Sequence, residues 1–266
     1  MDPKKSDNKM PIDESHPVLN VPTKNIKLWR YLDLPAFFSL LVDSKLCFSR
    51  ADLMEDKFEG TFPKLNGQLL DEWANIQIAR GELNPGYKNL SRTLTQDKTH
   101  AFLSCWCQED TEMVHMWKIY SKEYGVAIET SYEDLKLSIN DNENIYPTQI
   151  SYINFEKDIL DWKQNLLSIY TVKRAEYKSE CEFRLIISHP RQIEDQLLKY
   201  KTHEEKALPS KHLYGRTKVI KINVDLSKLI KIVHISPFAP EWYNELVKST
   251  LIKLGYGDIP TRVSEL

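Results

Sequence analysis

Lys173-Arg174-Ala175-Glu176-Tyr177-Lys178-Ser179-Glu180-Cys181-Glu182-Phe183-Arg184-Leu185-Ile186-Ile187 is the stretch on which the fold turns. From Phe183 to Ile187 it is apolar except for Arg184, a run with strong strand bias. A strand over 180–187 alternates its side chains between two faces. Cys181, Phe183, Leu185 and Ile187 then share the dry face, and Glu180, Glu182, Arg184 and Ile186 share the other. Same-face neighbours lie roughly 6.5–7 Å apart, so two carboxylates and a guanidinium form a row beside one sheet face. Such a row is either a solvated face with in-strand charge pairing or the floor of a polar cleft. Periodicity alone does not choose between them.

Upstream of the row, Phe155, Ile159, Trp162, Leu166 and Ile169 mark a helix, preceded by a strand over 149–155. Residues 131–148 read as a polar connection from a strand over 126–130, which Tyr124-Gly125 introduces. Thr111-Glu112 opens a helix in which Met113, Met116, Trp117 and Tyr120 recur at helical spacing. That stripe is either core or a pair of aromatics, Trp117 and Tyr120, facing a pocket. A strand over 99–107 precedes it. Residues 66–98 carry a helical pattern (Leu69, Leu70, Trp73, Ile76, Ile78) broken by Gly81, Pro85 and Gly86, the profile of an insertion or lid-like excursion.

Further out, Leu46-Cys47-Phe48-Ser49 has strand length, and residues 50–60 follow it as an acidic loop. Its carboxylates either take a divalent cation through hard oxygens or form a solvated turn. Asp33 is placed to cap a helix with Leu34, Phe37, Phe38 and Leu41 on one stripe and Pro35 in its first turn. Residues 26–31 alternate as a strand, with Lys27, Trp29 and Tyr31 opposite Ile26, Leu28 and Arg30. Residues 1–25 are polar and proline-rich, the composition of a flexible lead-in. Beyond the row, residues 188–216 read as a charged surface loop or hairpin. Strands over 219–224 and 229–235 and a helix over 241–255 close the chain, the helix burying Tyr243, Leu246, Val247, Leu251 and Leu254. No repeat or low-complexity linker divides 26–266. The reading is a single α+β domain with a central mixed β-sheet flanked by helices.

Composition narrows the function classes. Hydrophobic residues at 41% and charged residues at 28% describe a globular chain, not a disordered one. A formal net charge of -2 supplies no basic field, so there is no strong nucleic-acid signal. Thirteen Tyr and six Trp suit a sheet, or a site that stacks on flat ligands. Cys47, Cys105, Cys107 and Cys181 fall in or beside strand-like runs. A single residue separates Cys105 from Cys107, not the roughly two to four of zinc sites, so reduced structural thiols are expected. No glycine pattern forms a phosphate-binding loop. With no apolar leader segment and no run approaching about 18–20 apolar residues, the expectation is a soluble cytoplasmic protein with no membrane partner.

Five blocks together resemble the family catalogued as domain of unknown function 2971. They are Leu28-Trp29-Arg30-Tyr31; Leu46-Cys47-Phe48-Ser49 with Asp56, Phe58, Glu59 and Gly60; and Met116-Trp117 with Tyr120-Ser121 and Gly125-Val126-Ala127-Ile128. The remaining two are Lys173-Arg174 with Glu180, Glu182 and Arg184, and Ser236-Pro237 with the closing helix and Ser264. Lys57 stands where the family tends to carry the proline of an Asp-Pro-Phe turn. The resemblance implies a bacterial protein related to abortive-infection proteins, with a partner protein in a phage-defence system. It implies no settled activity.

Three chemistries fit the residues. The first is a nucleotide-directed transferase or glycohydrolase, with NAD as the candidate substrate, on a fold similar to the ADP-ribosyltransferases. In that arrangement an early-strand Arg or His holds the ligand, an aromatic residue stacks on the nicotinamide, and a late-strand Glu stabilises positive charge as nicotinamide leaves. Here Arg30 is early, Ser49 ends the second strand and Glu182 is late, a likeness at the level of fold. Glu182, Glu180 and Arg184 are the candidate catalytic residues. Arg30, Tyr31, Ser49, Asp56, Glu59, Trp117, Tyr120, Lys173 and Arg174 are the candidate substrate-binding residues. The second is a Mg²⁺-dependent nuclease using Asp56, Glu59, Glu180 and Glu182, with Lys173 near a phosphate. Against it, Arg184 stands where a nuclease motif carries lysine, and arginine serves poorly as a base. The third is a non-catalytic nucleotide sensor or partner-binding module, in which Lys173, Arg174 and Arg184 pair with phosphates or carboxylates.

Overall fold

The computed structural model describes residues 11–96, 98–121, 123–161, 165–189 and 217–266. Its strands are β1 (Lys27–Asp33), β2 (Lys45–Arg50), β3 (Ala101–Cys107), β4 (Gly125–Ser131), β5 (Tyr146–Gln149), β6 (Ser151–Ile153), β7 (Val172–Arg174), β8 (Glu182–Ser188), β9 (Val219–Asn223), β10 (Ile232–Ile235) and β11 (Thr261–Val263). Nine of them form one mixed sheet, and β6 and β7 pair in parallel beside it. Along the main path the order is β11-β10-β4-β1-β3-β2-β9, with β8 on β3 and β5 on β8. Among the described residues, only β10–β11 is parallel within the large sheet. No helix of the described residues is long and apolar enough to cross a membrane.

The sheet forks at β3. One edge of β3 pairs with β8 over its whole length, from Ala101↔Ser188 to Cys107↔Glu182. The other edge meets β1 at Trp29↔Cys107 and β2 at Ser49↔Leu103 and Arg50↔Phe102. Between these contacts the two partners part, and the middle of β3 faces neither.

Period-two alternation sorts the side chains between the faces. Leu28, Phe48, Phe102, Trp106, Val126, Ile128, Phe183, Leu185 and Ile187 enter one core. It is covered by the helices Leu34–Asp43, Tyr132–Ser138 and Glu241–Lys253 through Phe37, Leu41, Leu135, Tyr243, Val247 and Leu251. The first helix starts as its sequence dictates, with the Asp33 carboxylate accepting from Ala36 N at 2.9 Å. On the opposite face there are two apolar clusters. One holds Leu103, Ile186, Leu167, Ile169 and Tyr170 under the helices Lys64–Ala79 and Leu90–Thr95. The other holds Trp29, Tyr31, Cys107, Met116, Trp117 and Ala127. Fully burying Phe183, Leu185 and Ile187 contributes about 1.5–3 kcal/mol each, which anchors the polar side of β8 between the two clusters.

Several expectations are corrected. The strand expected over 180–187 begins at Glu182, because Cys181 takes a left-handed conformation (φ 44°) and Ala175–Glu180 is a 3₁₀ turn. Cys181 and Glu180 therefore leave the alternating row. Among the described residues, the helix expected from Phe155 to Ile169 does not form. Asn154 accepts from the amides of Glu156 and Lys157, and Asp158 accepts from Asn154 N at 2.7 Å, local bonds that compete with a helix. Leu166–Tyr170 is a 3₁₀ turn instead, and Trp162 lies outside the described residues. The stripe of Met113 to Tyr120 is one α-turn (Val114–Met116) running into a π-turn (Trp117–Ser121). The connection 131–148 contains the helix Tyr132–Ser138, capped by Ser131, and β5. In the closing helix, Leu246 and Leu254 are exposed. Residues 11–25, expected as a flexible lead-in, are tied down: Ile12 bridges Ile145 and enters the core, and Asn20 N donates to Thr148. Residues 1–10 lie outside the described residues, as do 190–216 of the expected charged loop.

Candidate functional site

The interval between the two apolar clusters is a cavity of about 360 Å³. Its floor is the polar side of β8, with Glu182 and Arg184, and the adjacent β3, where Cys107 pairs with Glu182 and Cys105 with Arg184. The loop after β2 closes one side with Leu53, Met54, Asp56 and Glu59. The 3₁₀ turn after β7 adds Tyr177 and Glu180, and the π-turn adds Tyr120. Trp29 and Tyr31 reach it from β1 and Ser49 from β2.

A continuous ion-pair network lines the floor. Arg184, with its side chain 1% exposed, gives Nη1 and Nη2 to Glu59 (2.7 and 3.0 Å) and Nε to Glu182 Oε1 (2.7 Å). A further Nη1 bond goes to the Tyr170 carbonyl (2.9 Å). Lys173 bridges Glu182 Oε2 at 3.0 Å and Glu180, and its ammonium lies 4.9 Å from the centre of the Tyr177 ring. At the rim, Arg174 closes on Asp56 with two bonds (2.8 and 3.2 Å), its guanidinium between the rings of Phe58 and Tyr177. Pairing of this kind offsets the cost of burying these charges.

The electrostatics follow from burial and pairing. Burial alone raises the Glu182 carboxyl, but Arg184 and Lys173 outweigh it and hold it down at about 2. Burial works against the Lys173 ammonium, yet Glu182 and Glu180 keep its pKa above the ordinary lysine range. Burial pushes Glu59 up, although Arg184 opposes it. Burial also raises the Cys105 thiol, so the free cysteine in the cavity wall stays protonated.

Arg30 is different. Alternation puts it on the face opposite Tyr31, and its guanidinium enters the fork of the sheet, bonding the Ser104 hydroxyl and the Cys47 carbonyl (3.1 Å) beside the Trp106 ring. It lines the same cavity, and burial lowers its pKa. Among the described residues it has no carboxylate partner, whereas Arg174 has one and Lys173 and Arg184 have two each.

Ten of the twelve expected site residues line this cavity: Arg30, Tyr31, Ser49, Asp56, Glu59, Tyr120, Lys173, Glu180, Glu182 and Arg184. The other two stand behind it. Trp117 is buried against Tyr31 (rings 5.1 Å apart, 86°) with its Nε1 on Glu112, so it supports the wall and does not face the pocket. Arg174 acts on Asp56 and Tyr177. The solvated-turn reading of Asp56 and Glu59 fails, since both are buried and arginine-paired. Among the described residues no group of three or more His, Cys, Asp or Glu is arranged to hold a metal. The four carboxylates of the nuclease reading are held instead by Arg174, Arg184 and Lys173. Among the lining residues outside the expected set are Tyr177 and Cys105. Tyr177 is found once the 3₁₀ turn is known, because residues three apart eclipse there and Tyr177 falls over Arg174.

Against models of protein families, residues 116–185 match the family described as Protein of unknown function (DUF2971). The matched span holds Tyr120, Lys173, Glu180, Glu182 and Arg184 and leaves Arg30, Ser49, Asp56 and Glu59 outside it. No curated protein matches the chain, and no solved structure matches it.

Proposed function

We propose that the cavity binds a dinucleotide of the NAD type and breaks its N-glycosidic bond, releasing nicotinamide. The observation that carries this is the division of charge within one cavity. Glu182 on β8 is a buried carboxylate held ionised, and Arg30, across β3 from it, is a cation without a carboxylate partner among the described residues. A ligand that suits both has an anionic group for Arg30 and a centre of positive charge for the acid side. The phosphates and the nicotinamide riboside of NAD have that pattern. Tyr31, Tyr120 and Tyr177 offer aromatic surface between them, and the volume lies within the range of roughly 300–1,000 Å³ usual for small-ligand sites.

The chemistry needs a fixed charge more than a proton carrier. As the C1′–N bond breaks, its electron pair leaves with the nicotinamide nitrogen and positive charge develops on the ribosyl C1′. An ionised Glu182 stabilises that charge. Water, or a nucleophile on a macromolecule, then adds to C1′ and releases a proton to solvent. With its pKa near 2, Glu182 stays charged through the neutral range and does not act as a general acid. As part of the same reading, the protein serves as a toxin-type effector, because unchecked NAD cleavage starves the cell that carries it.

The test is incubation of the purified protein with NAD, followed by chromatography of free nicotinamide and ADP-ribose. Release that disappears in Glu182→Gln, while the variant still melts cooperatively, supports the proposal. Absence of both nicotinamide release and macromolecular modification in the wild type refutes it. One observation favours a second reading, a nucleotide-binding module without turnover: both oxygens of Glu182 are already held, by Arg184 and Lys173. Calorimetric binding of NAD with no nicotinamide formed would select that reading.

A further inference from the structure

We infer that Glu59 is a positioning residue: it acts through Arg184 to fix the carboxylate of Glu182 and does not itself bind the ligand. The inference rests on the reading of the site just given.

Glu59 approaches from the loop after β2, and both of its carboxylate oxygens are spent on Arg184, at 2.7 and 3.0 Å. The guanidinium is a rigid planar fork. With Nη1 and Nη2 on Glu59, and Nη1 also on the Tyr170 carbonyl, the plane of the fork is set. The Nε–H then has one direction left, onto Glu182 Oε1. Remove the charge of Glu59, and the stronger arrangement is for Arg184 to turn its fork onto Glu182, since bidentate pairs exceed single bonds. That turn would carry the Glu182 carboxylate away from the geometry it holds beside the cavity.

The backbone at Glu59 is itself seated for the task. Its amide donates to the Asp56 carbonyl at 2.9 Å, and its carbonyl accepts from Lys98 Nζ. The next residue, Gly60, has φ 65°, and a Cβ there would lie 2.5 Å from the Tyr170 ring. The loop is thus pressed against the residue whose carbonyl completes the Arg184 clamp. A carboxylate placed only to meet a ligand needs none of these three constraints.

Glu59→Gln keeps the shape and leaves Glu182 to neutralise Arg184, so the guanidinium is not orphaned. Two readouts are taken. The first is the Nε–Hε resonance of Arg184 by NMR, assigned with Arg184→Lys. The second is kcat and KM for nicotinamide release from NAD. The expected result is a displaced Nε–Hε signal in Glu59→Gln together with a fall in kcat of roughly a hundredfold, the size of effect a misplaced group produces, and little change in KM. Glu59→Asp, which keeps the charge on a shorter arm, should fall between; it also serves if Glu59→Gln does not fold. An unmoved Nε–Hε signal overturns the inference, as does a moved signal with unchanged kcat, and so does a loss confined to KM. If the wild type releases no nicotinamide, the proposed activity is what fails. The resonance then decides alone whether Glu59 sets the Arg184–Glu182 geometry.

Discussion

A Cβ built on Gly125 would lie 2.2 Å from the Cβ of Ser121 and 2.4 Å from its carbonyl oxygen. Gly125 begins β4, and Ser121 ends the π-turn, its hydroxyl bonded back to the Trp117 carbonyl at 2.9 Å. The absence of a side chain at Gly125 lets this turn close on the sheet. The turn in turn holds Trp117 behind Tyr31 and Tyr120 at the cavity.

Gly125→Ala should therefore destabilise the fold by about 1–3 kcal/mol, the usual cost of overpacking, read from the denaturation midpoint in urea. Ser121→Gly should not rescue it, because the carbonyl oxygens of Ser121 and Leu32, at 2.4 and 2.7 Å from the added Cβ, remain. A stable Gly125→Ala protein would show that the turn shifts freely.

Arg184 is paired with both Glu59 and Glu182, and neither buried carboxylate has water to fall back on. Arg184→Ala is expected to cost about 3–5 kcal/mol, the loss seen when one partner of a buried pair is removed. Lys64→Ala, which breaks the exposed pair with Glu156, should cost at most about 1 kcal/mol. Chemical denaturation of the two variants side by side checks the contrast. Equal losses would mean that the network contributes no more than a surface pair.

The depressed pKa of Glu182 has a definite sign in the pH dependence. Its folded value, about 2, lies below the ordinary carboxylate value of 4.5, so the unfolded chain binds the proton more tightly. The stability contributed by ionised Glu182 is complete above the unfolded value and is lost as pH falls through the folded one. The wild type should lose stability on acidification from about pH 4.5 towards pH 2, and Glu182→Gln should lose less over the same window. Parallel acid limbs for the two proteins would contradict this.

Arg30 is expected to serve the anionic part of the ligand. Arg30→Met should weaken ADP-ribose binding by roughly ten- to a hundredfold, in line with the loss of a hydrogen bond to a charged group. Binding of nicotinamide riboside, which carries no phosphate, should change little. Calorimetry with both ligands checks the difference. Equal losses would assign Arg30 to holding the sheet fork, through Ser104 and Cys47, and not to the ligand.

The alternation of Phe183, Leu185 and Ile187 against Glu182 and Arg184 could be read without coordinates, because a strand has one period and the apolar set has one place to go. The same holds for the Asp33 cap and the strands of β1, β3, β4 and β9. The helix expected over 155–169 failed because its apolar spacing was outweighed by Asn154 and Asp158, whose side chains bond their neighbours' amides. The π-turn at Trp117 was hidden for a similar reason, since its sequence carries an α-helical stripe.

Sequence alone determined a mixed α+β domain, and a charged row that had to lie on the side of β8 away from Phe183. Only the tertiary structure decided that the row faces inward. Glu59 reaches Arg184 across 125 residues, and Asp56 reaches Arg174 across 118. Local periodicity fixes which face a side chain takes. What covers that face depends on contacts between distant segments, and those set whether a carboxylate meets water or a guanidinium.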